Sequence, residues 1–337
     1  MEMGRVAVIG SGSWATALAK VLVEHTHTIG WYVRRPLTID RFRALRHNPN
    51  YLRSLQFDTA EIDFSDDINY ICAHYDTLLF VTPSPYVKEL LDKIRVSLRQ
   101  KFIVTAIKGV VPGEHTVFTE YVHGRFGVPE GQLACIGGPS HAEEVAQQRL
   151  TYLTVGCTDD ARAAAFGRLL RSHYIRVKTS RDVVGIEYAA VLKNVYAICA
   201  GICRSLGYGD NFHAVLMTHA MQEMSAFLSA LNPIWRDMLD TLYLGDLLVT
   251  GYSRLSRNYT FGAMIGRGYT VKAAQQEMEM IAEGYFGTQC MHVIAQDLRA
   301  HHVHLRTPLL DTVHRILYEK APAEEAIRRM TTPGVVV

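Results

Sequence analysis

An apolar run over 6–9 leads straight into Gly10-Ser11-Gly12-Ser13-Trp14-Ala15, and Trp14, Ala17, Leu18, Val21 and Leu22 then recur at helical spacing before a second apolar run over 29–33. Few local patterns restrict a fold as much. A strand, a glycine-marked turn, an amphipathic helix and a second strand make a β-α-β unit, because a helix with one apolar face has to lay that face on the sheet beside it. Gly10 permits a tight turn, Gly12 lets a pyrophosphate approach the backbone, and the small Ala15 allows the helix to pack closely on the strand. The helix start adds N–H groups and a partial positive charge, so this segment is expected to hold the diphosphate of a dinucleotide. The second run ends in Arg34-Arg35. A chain strict for NAD usually carries an acid there for the ribose 2′-hydroxyl, whereas arginine suits the 2′-phosphate of NADP.

Further β-branched runs over 77–81, 102–107, 133–137, 152–155 and 175–179 alternate with helical patterns, as in a parallel sheet covered by helices. After Ser180 long helical patterns take over, at 182–206, 212–231, 270–282, 286–301 and 308–320, the last opened by Thr307 as cap and Pro308 in the first turn. The expected fold class is an α/β N-terminal Rossmann-like domain with a parallel sheet, followed by an all-helical C-terminal domain. The expected domains are 1–180 for dinucleotide binding and 181–337 for substrate. With 35 basic against 33 acidic residues and a net charge of +2, nothing argues for nucleic acid or an anionic membrane. Six cysteines without a C-x-x-C pair read as buried free thiols in a reducing compartment. No signal peptide or apolar run long enough to cross a bilayer is apparent, so a soluble, cytoplasmic protein is expected.

Lys193-Asn194 interrupts a segment, 183–203, that is apolar around most of a helix. Burying a lysine is costly, and a buried lysine readily gives up its proton, so Lys193 is a candidate general acid-base; a lysine snorkelling at the helix edge reads equally well from the pattern alone. Lys108 closes a strand in TAIKG, where open α/β sheets bind ligands. Gly137-Gly138-Pro139-Ser140-His141-Ala142 follows another strand and suits an anion. The segment 245–258 joins Asp246 and Thr250 to Ser256-Arg257-Asn258 in what reads as a loop. His301-His302 and His304 close a helix and read as solvated rather than metal-binding, while Met278, Met280, Tyr285 and Phe286 read as core.

In these segments, GSGSWATALA, IKG, GPSHAEEVA, VLKNVYAI and GDLLVTGYSRLSRNYTFG, the chain resembles the NAD(P)-dependent glycerol-3-phosphate dehydrogenase family, from about 6 to 283. The resemblance implies reduction of dihydroxyacetone phosphate to glycerol 3-phosphate with NADPH or NADH, without a metal. It implies Lys193 as the proton-transferring residue at C2, with Lys108 and Asp246 beside it and Asn194 and Thr250 in support. Substrate contacts would come from Lys108, Gly138, Ser140, Lys193, Asp246, Ser256, Arg257 and Asn258, with Arg257 as phosphate partner. The cofactor would lie along Gly10, Gly12, Ser13, Trp14, Ala15, Arg34, Arg35, Lys108, Ala142, Arg257 and Glu283. Ala15 stands where the family commonly has glycine, and His219 where it commonly has arginine.

Two other functions fit parts of the pattern. A β-hydroxyacid dehydrogenase or ketopantoate reductase would also join a dinucleotide domain to a helical domain with a catalytic lysine, but its substrate carries a carboxylate. A redox-sensing regulator would bind NAD(P)H without turnover and would need a partner or nucleic-acid surface that the sequence does not display. A homodimer is the expected assembly, from the prevalence of two-fold symmetry.

Overall fold

The computed structural model describes residues 2–278 and 282–332. The chain divides into two compact units, one of residues 1–107 and 117–186, the other of 108–116 and 187–337. The excursion 108–116, which carries Lys108, therefore belongs with the helical unit.

Ten strands are present among the described residues: β1 (Val6–Ile9), β2 (Ile29–Tyr32), β3 (Ile62–Ser65), β4 (Thr77–Phe80), β5 (Phe102–Thr105), β6 (Val110–Val111), β7 (Thr116–Val117), β8 (Leu133–Gly137), β9 (Thr151–Cys157) and β10 (Ile175–Ser180). Eight of them form one sheet in the order β10-β9-β8-β5-β4-β1-β2-β3, and β6 pairs with β7. The sheet is parallel except where β8 meets β9, with Ala134 opposite Cys157 and Gly137 opposite Thr154. The sheet is thus dominated by parallel pairs, as expected of a Rossmann-like domain, with one antiparallel pair added. A parallel return has to carry the chain back along the length of the strands before it re-enters the sheet. The helix between β8 and β9, Ala142–Ala146, has five residues and spans about 7.5 Å, while a five-residue strand spans about 16 Å. β3, absent from the sequence reading, is an edge strand whose Asp63 and Ser65 are only partly buried.

The helix Ser13–Thr26 buries Ala15, Leu18, Val21 and Leu22 in the core of the first unit. Trp31 on β2 packs against Phe42, Phe57 and Phe64, with ring centroids 5.2, 5.6 and 5.7 Å away, which ties β2 to β3 and to the helix Pro36–Leu45. All six cysteines are buried and free.

The helical unit is built around Val183–Ser205. By length and composition this helix could cross a membrane, contrary to the reading that no run could, but 94% of its most apolar window is buried inside the protein. Glycines let a neighbour come close: a Cβ on Gly262 would lie 2.1 Å from the Ile198 carbonyl oxygen, and one on Gly201 would lie 2.1 Å from that of Tyr259. The helix Arg257–Gly266 is thereby pressed onto Val183–Ser205. The segment 245–258, read as a loop, is mostly helical: a π-turn at Thr241–Gly245 runs into Asp246–Tyr252, and Arg257–Gly266 follows.

Other local expectations also change. Thr307 does not cap Pro308–Tyr318 through its side chain; the buried carboxylate of Glu223 accepts from the Leu309 and Leu310 N–H groups at 2.8 and 3.0 Å. A carboxyl group from another helix does the capping because the first N–H groups of a helix have no partner within it; burial pushes the Glu223 pKa up to about 8, and the two N–H groups oppose that rise. The helix expected over 270–282 ends at Glu277, and the next begins at Glu283. Met278 and Tyr285 are half-buried and Phe286 is exposed, so these are not core positions. Tyr285 instead stacks on Tyr318 at the surface of the helix Pro308–Tyr318. Met280 lies outside the described residues.

Candidate active site

In the first unit the glycine turn has the geometry its sequence implies. Gly10 has φ +128°, and a Cβ there would lie 2.9 Å from the Val81 carbonyl carbon and oxygen, so no larger residue fits. A Cβ on Gly12 would meet nothing within 4 Å. Gly12 is the N-cap of Ser13–Thr26 in extended conformation and makes no side-chain cap, which leaves the helix start to a ligand. Ser13 is buried, Trp14 half-buried and Ala15 wholly buried. Arg34 and Arg35 are exposed beyond β2, with the Arg34 guanidinium 5.4 Å from the centre of the Tyr86 ring. These residues fit a dinucleotide: an open glycine at a helix start suits a diphosphate, and exposed cations just beyond the second strand suit a further phosphate.

Also in this unit, Gly138 follows β8 at φ +108°, where a Cβ would lie 2.8 Å from the Tyr152 carbonyl oxygen. The Ser140 hydroxyl donates to the Gly138 carbonyl at 2.9 Å, and Ala142, buried, begins Ala142–Ala146.

The helical unit assembles the proposed proton-transfer residues. Lys193 is 3% exposed on Val183–Ser205, and its ammonium donates to Oδ1 of Asp246, also 3% exposed, at the start of Asp246–Tyr252. Burial pushes the Lys193 pKa down to about 7; the Asp246 carboxylate opposes this, and the Lys108 ammonium adds to it. The Asn194 side chain donates to the Lys108 carbonyl at 3.0 Å, which anchors the excursion 108–116 to the central helix. The Thr250 hydroxyl donates to the Asp246 carbonyl at 2.6 Å, one turn back along the same helix. The π-turn before Asp246 is a local irregularity of a kind often found beside functional residues.

Ser256 caps Arg257–Gly266, its Oγ accepting from the Tyr259 N–H at 3.3 Å. Asn258 is buried, and its Oδ1 accepts from the Gly284 N–H at 2.8 Å, next to Glu283 at the head of Glu283–Ala300. Arg257, half-buried, thus stands at a helix start beside two polar residues. Lys108, Lys193, Asn194, Asp246, Thr250, Ser256, Arg257, Asn258 and Glu283 belong to the helical unit, and Gly10, Gly12, Ser13, Trp14, Ala15, Arg34, Arg35, Gly138, Ser140 and Ala142 to the first. His219 is half-buried and meets Gln222 at 3.1 Å. Among the described residues no three or more His, Cys, Asp or Glu side chains gather as they would around a metal ion.

The chain matches the family models for the NAD-dependent glycerol-3-phosphate dehydrogenase N-terminus over residues 5–163 and C-terminus over residues 182–328. It is 32% identical over 328 residues to a glycerol-3-phosphate dehydrogenase [NAD(P)+] of Enterococcus faecalis, covering 97% of this chain and 95% of that protein. The chain belongs to the NAD-dependent glycerol-3-phosphate dehydrogenase family. The crystal structure of a glycerol-3-phosphate dehydrogenase from Coxiella burnetii superimposes with a TM-score of 0.87 at 28% identity, over 98% of this chain and 99% of that one. A D-mandelate dehydrogenase shares the fold alone, with a TM-score of 0.59 at 13% identity over 96% and 99% of the two chains. Family membership brings an NADH or NADPH cofactor, in agreement with the glycine turn.

Two buried residues carry no sequence signal of their role: Asn48, which donates to the Ser11 carbonyl of the glycine turn, and Glu223, which caps Pro308–Tyr318. A lone asparagine before a proline carries only a turn signal.

Proposed function

We propose that this chain interconverts dihydroxyacetone phosphate and sn-glycerol 3-phosphate, with NADH or NADPH as the reductant. The buried Lys193–Asp246 pair is the observation that carries this reading. An ammonium lowered to about 7 by burial is available in both protonation states near neutral pH. In the reducing direction Lys193 donates its proton to the oxygen developing negative charge at C2, and in the oxidising direction the neutral amine accepts the C2 hydroxyl proton. Asp246 holds the amine in place, and Lys108 adds a second positive charge for the C2 oxygen. A nicotinamide dinucleotide held at the glycine turn, residues 10–15, would supply or take up the hydride at C2.

Arg257, at the capped start of Arg257–Gly266 with Ser256 and Asn258, is the proposed phosphate partner, since a helix start and a guanidinium both favour a dianion. Binding the phosphate at a distance from C2 gives energy for positioning the reacting carbon. Gly138 and Ser140 are proposed to complete the substrate site, and Ser13, Trp14, Arg34, Arg35, Ala142 and Glu283 to lie along the cofactor. Asn194 and Thr250 serve as supports for Lys108 and Asp246. A carboxylate substrate, as in the β-hydroxyacid and ketopantoate enzymes, would not call for this phosphate arrangement. The product would supply phospholipid synthesis from the cytoplasm, in line with six free buried thiols, and the assembly is proposed to be a homodimer.

The test is consumption of reduced nicotinamide, followed by its near-ultraviolet absorbance, with dihydroxyacetone phosphate, dihydroxyacetone, ketopantoate or no substrate. Turnover with the phosphate ester alone supports the reading, and turnover with ketopantoate alone overturns it. Light scattering of the purified chain checks the dimer.

A further inference from the structure

We propose that Asn48 is a positioning residue for the dinucleotide: it holds the glycine turn in its binding shape without touching the ligand. The inference rests on the reading that residues 10–13 receive the dinucleotide diphosphate. Each carbonyl of the turn is taken up by a side chain. Trp31 Nε1 donates to the Gly10 carbonyl at 2.7 Å, Asn48 Nδ2 to the Ser11 carbonyl at 3.0 Å, and the Thr16 hydroxyl to the Gly12 carbonyl at 2.8 Å. A trans peptide is planar, so its N–H points opposite to its carbonyl. Turning the Gly10 and Ser11 carbonyls inward therefore aims the N–H groups of Ser11 and Gly12 away from the interior, toward the open space in front of Gly12 where no Cβ would meet a neighbour. A diphosphate is bound by such N–H groups.

Asn48 is the hub of this arrangement. Its second amide hydrogen goes to the Thr16 hydroxyl at 2.7 Å, and its Oδ1 accepts from the Asn50 and Tyr51 N–H groups at 3.0 and 3.2 Å. Both donors and the acceptor are thus used, at a residue 0% exposed. Only an amide of this length meets the pattern: aspartate would face the Ser11 carbonyl with an acceptor, and leucine would take away the partners of the Ser11 carbonyl, the Thr16 hydroxyl and the Asn50 and Tyr51 N–H groups together. Thr16 is the relay, accepting from Asn48 and donating to Gly12. The three side chains come from the second strand, the loop before Tyr51 and the helix behind the turn, so the turn is braced from three directions before any ligand arrives.

The experiment measures NADPH affinity by fluorescence titration of the full-length chain, with steady-state kinetics and thermal unfolding in parallel, for Asn48→Leu, Asn48→Asp, Thr16→Val and Thr16→Ser. The first three variants should raise the dinucleotide Kd and KM by about tenfold or more, well below their unfolding temperatures. The KM for dihydroxyacetone phosphate and kcat at saturating dinucleotide should stay within about threefold, since the bracing acts on binding. Thr16→Ser keeps the hydroxyl and should restore wild-type affinity. A double variant Asn48→Leu/Thr16→Val should lose less than the product of the single losses, because the two act through one network. A folded Asn48→Leu with wild-type dinucleotide affinity overturns the proposal. Should Asn48→Leu not fold, Thr16→Val decides: wild-type affinity there, or an equal loss in Thr16→Ser, overturns it. Absence of dinucleotide binding by the wild-type chain would overturn the reading of the turn and this proposal with it, and is distinguished by that control alone.

Discussion

The Lys193 ammonium donates to Oδ1 of Asp246 across 53 positions of sequence, with side chains only 4% and 5% exposed. Leaving a buried charge unpaired would cost several kcal/mol, roughly what removing one partner of a buried pair costs elsewhere. Pairing makes the burial tolerable and still leaves the lysine easier to deprotonate than in water. That combination suits a group that must pass a proton in both directions near neutral pH.

Lys193→Met keeps much of the stem's volume and deletes the ammonium. The variant should still bind NADPH through the first unit, while kcat falls by about two to four decades, the range typical of a positioned proton-transfer group. Stopped-flow and steady-state turnover measure it, with a fluorescence titration as control. A folded variant with near-normal kcat would move the acid-base role to Lys108.

The pH dependence follows from the sign of each influence. Oxidation needs neutral Lys193, so its kcat/KM should rise with pH through about 7, and reduction, which needs the ammonium, should fall over the same window. Lys108→Met removes a repelling cation and should move the midpoint to higher pH. Asp246→Asn removes the carboxylate that favours the ammonium and should move it lower. Profiles that shift in the same direction for both variants would contradict the assignment.

Arg257→Ala should lower kcat/KM for dihydroxyacetone phosphate by about one to two decades, from loss of a charge-assisted hydrogen bond of about 1.5 to 3 kcal/mol. Turnover of dihydroxyacetone, which lacks the phosphate, should change little. An equal loss for both substrates would place the phosphate elsewhere.

Arg34→Asp should weaken NADPH far more than NADH, because repulsion replaces attraction at the 2′-phosphate alone. Tyr86→Ala should act in the same direction and less strongly, by removing the ring the guanidinium lies over. Parallel KM values for the two dinucleotides decide this, and an unchanged ratio in Arg34→Asp and Arg35→Asp would return both arginines to the solvated surface.

Gly262→Ala should destabilise the helical unit by about 1 to 3 kcal/mol, since its methyl would lie 2.1 Å from the Ile198 carbonyl oxygen and the helices would have to part. Denaturant unfolding measures the change. Full stability would mean the two helices separate at little cost.

The glycine turn, the helix behind it, the main strands and the central helix were legible because short-range rules govern them. Gly10, Gly12 and Ala15 stand in fixed relation to a strand and a helix, and the apolar periodicity of 13–26 and 183–205 reports which face is buried whatever the burying partner. Lys193 stood out because an ionisable group inside an apolar helix is costly wherever it occurs, and the match of its neighbours to a family pattern carried the rest. Periodicity is silent on strand direction, so the antiparallel meeting of β8 and β9 is visible only in the tertiary structure. It is equally silent on distant partners. Which carboxylate would face Lys193, that Glu223 rather than Thr307 would cap Pro308–Tyr318, and that Asn48 would brace a turn 37 positions away depend on where the chain returns in space. Hydrogen bonds and ion pairs are directional and short, and residues far apart in sequence meet these demands only after the hydrophobic core has brought their elements together.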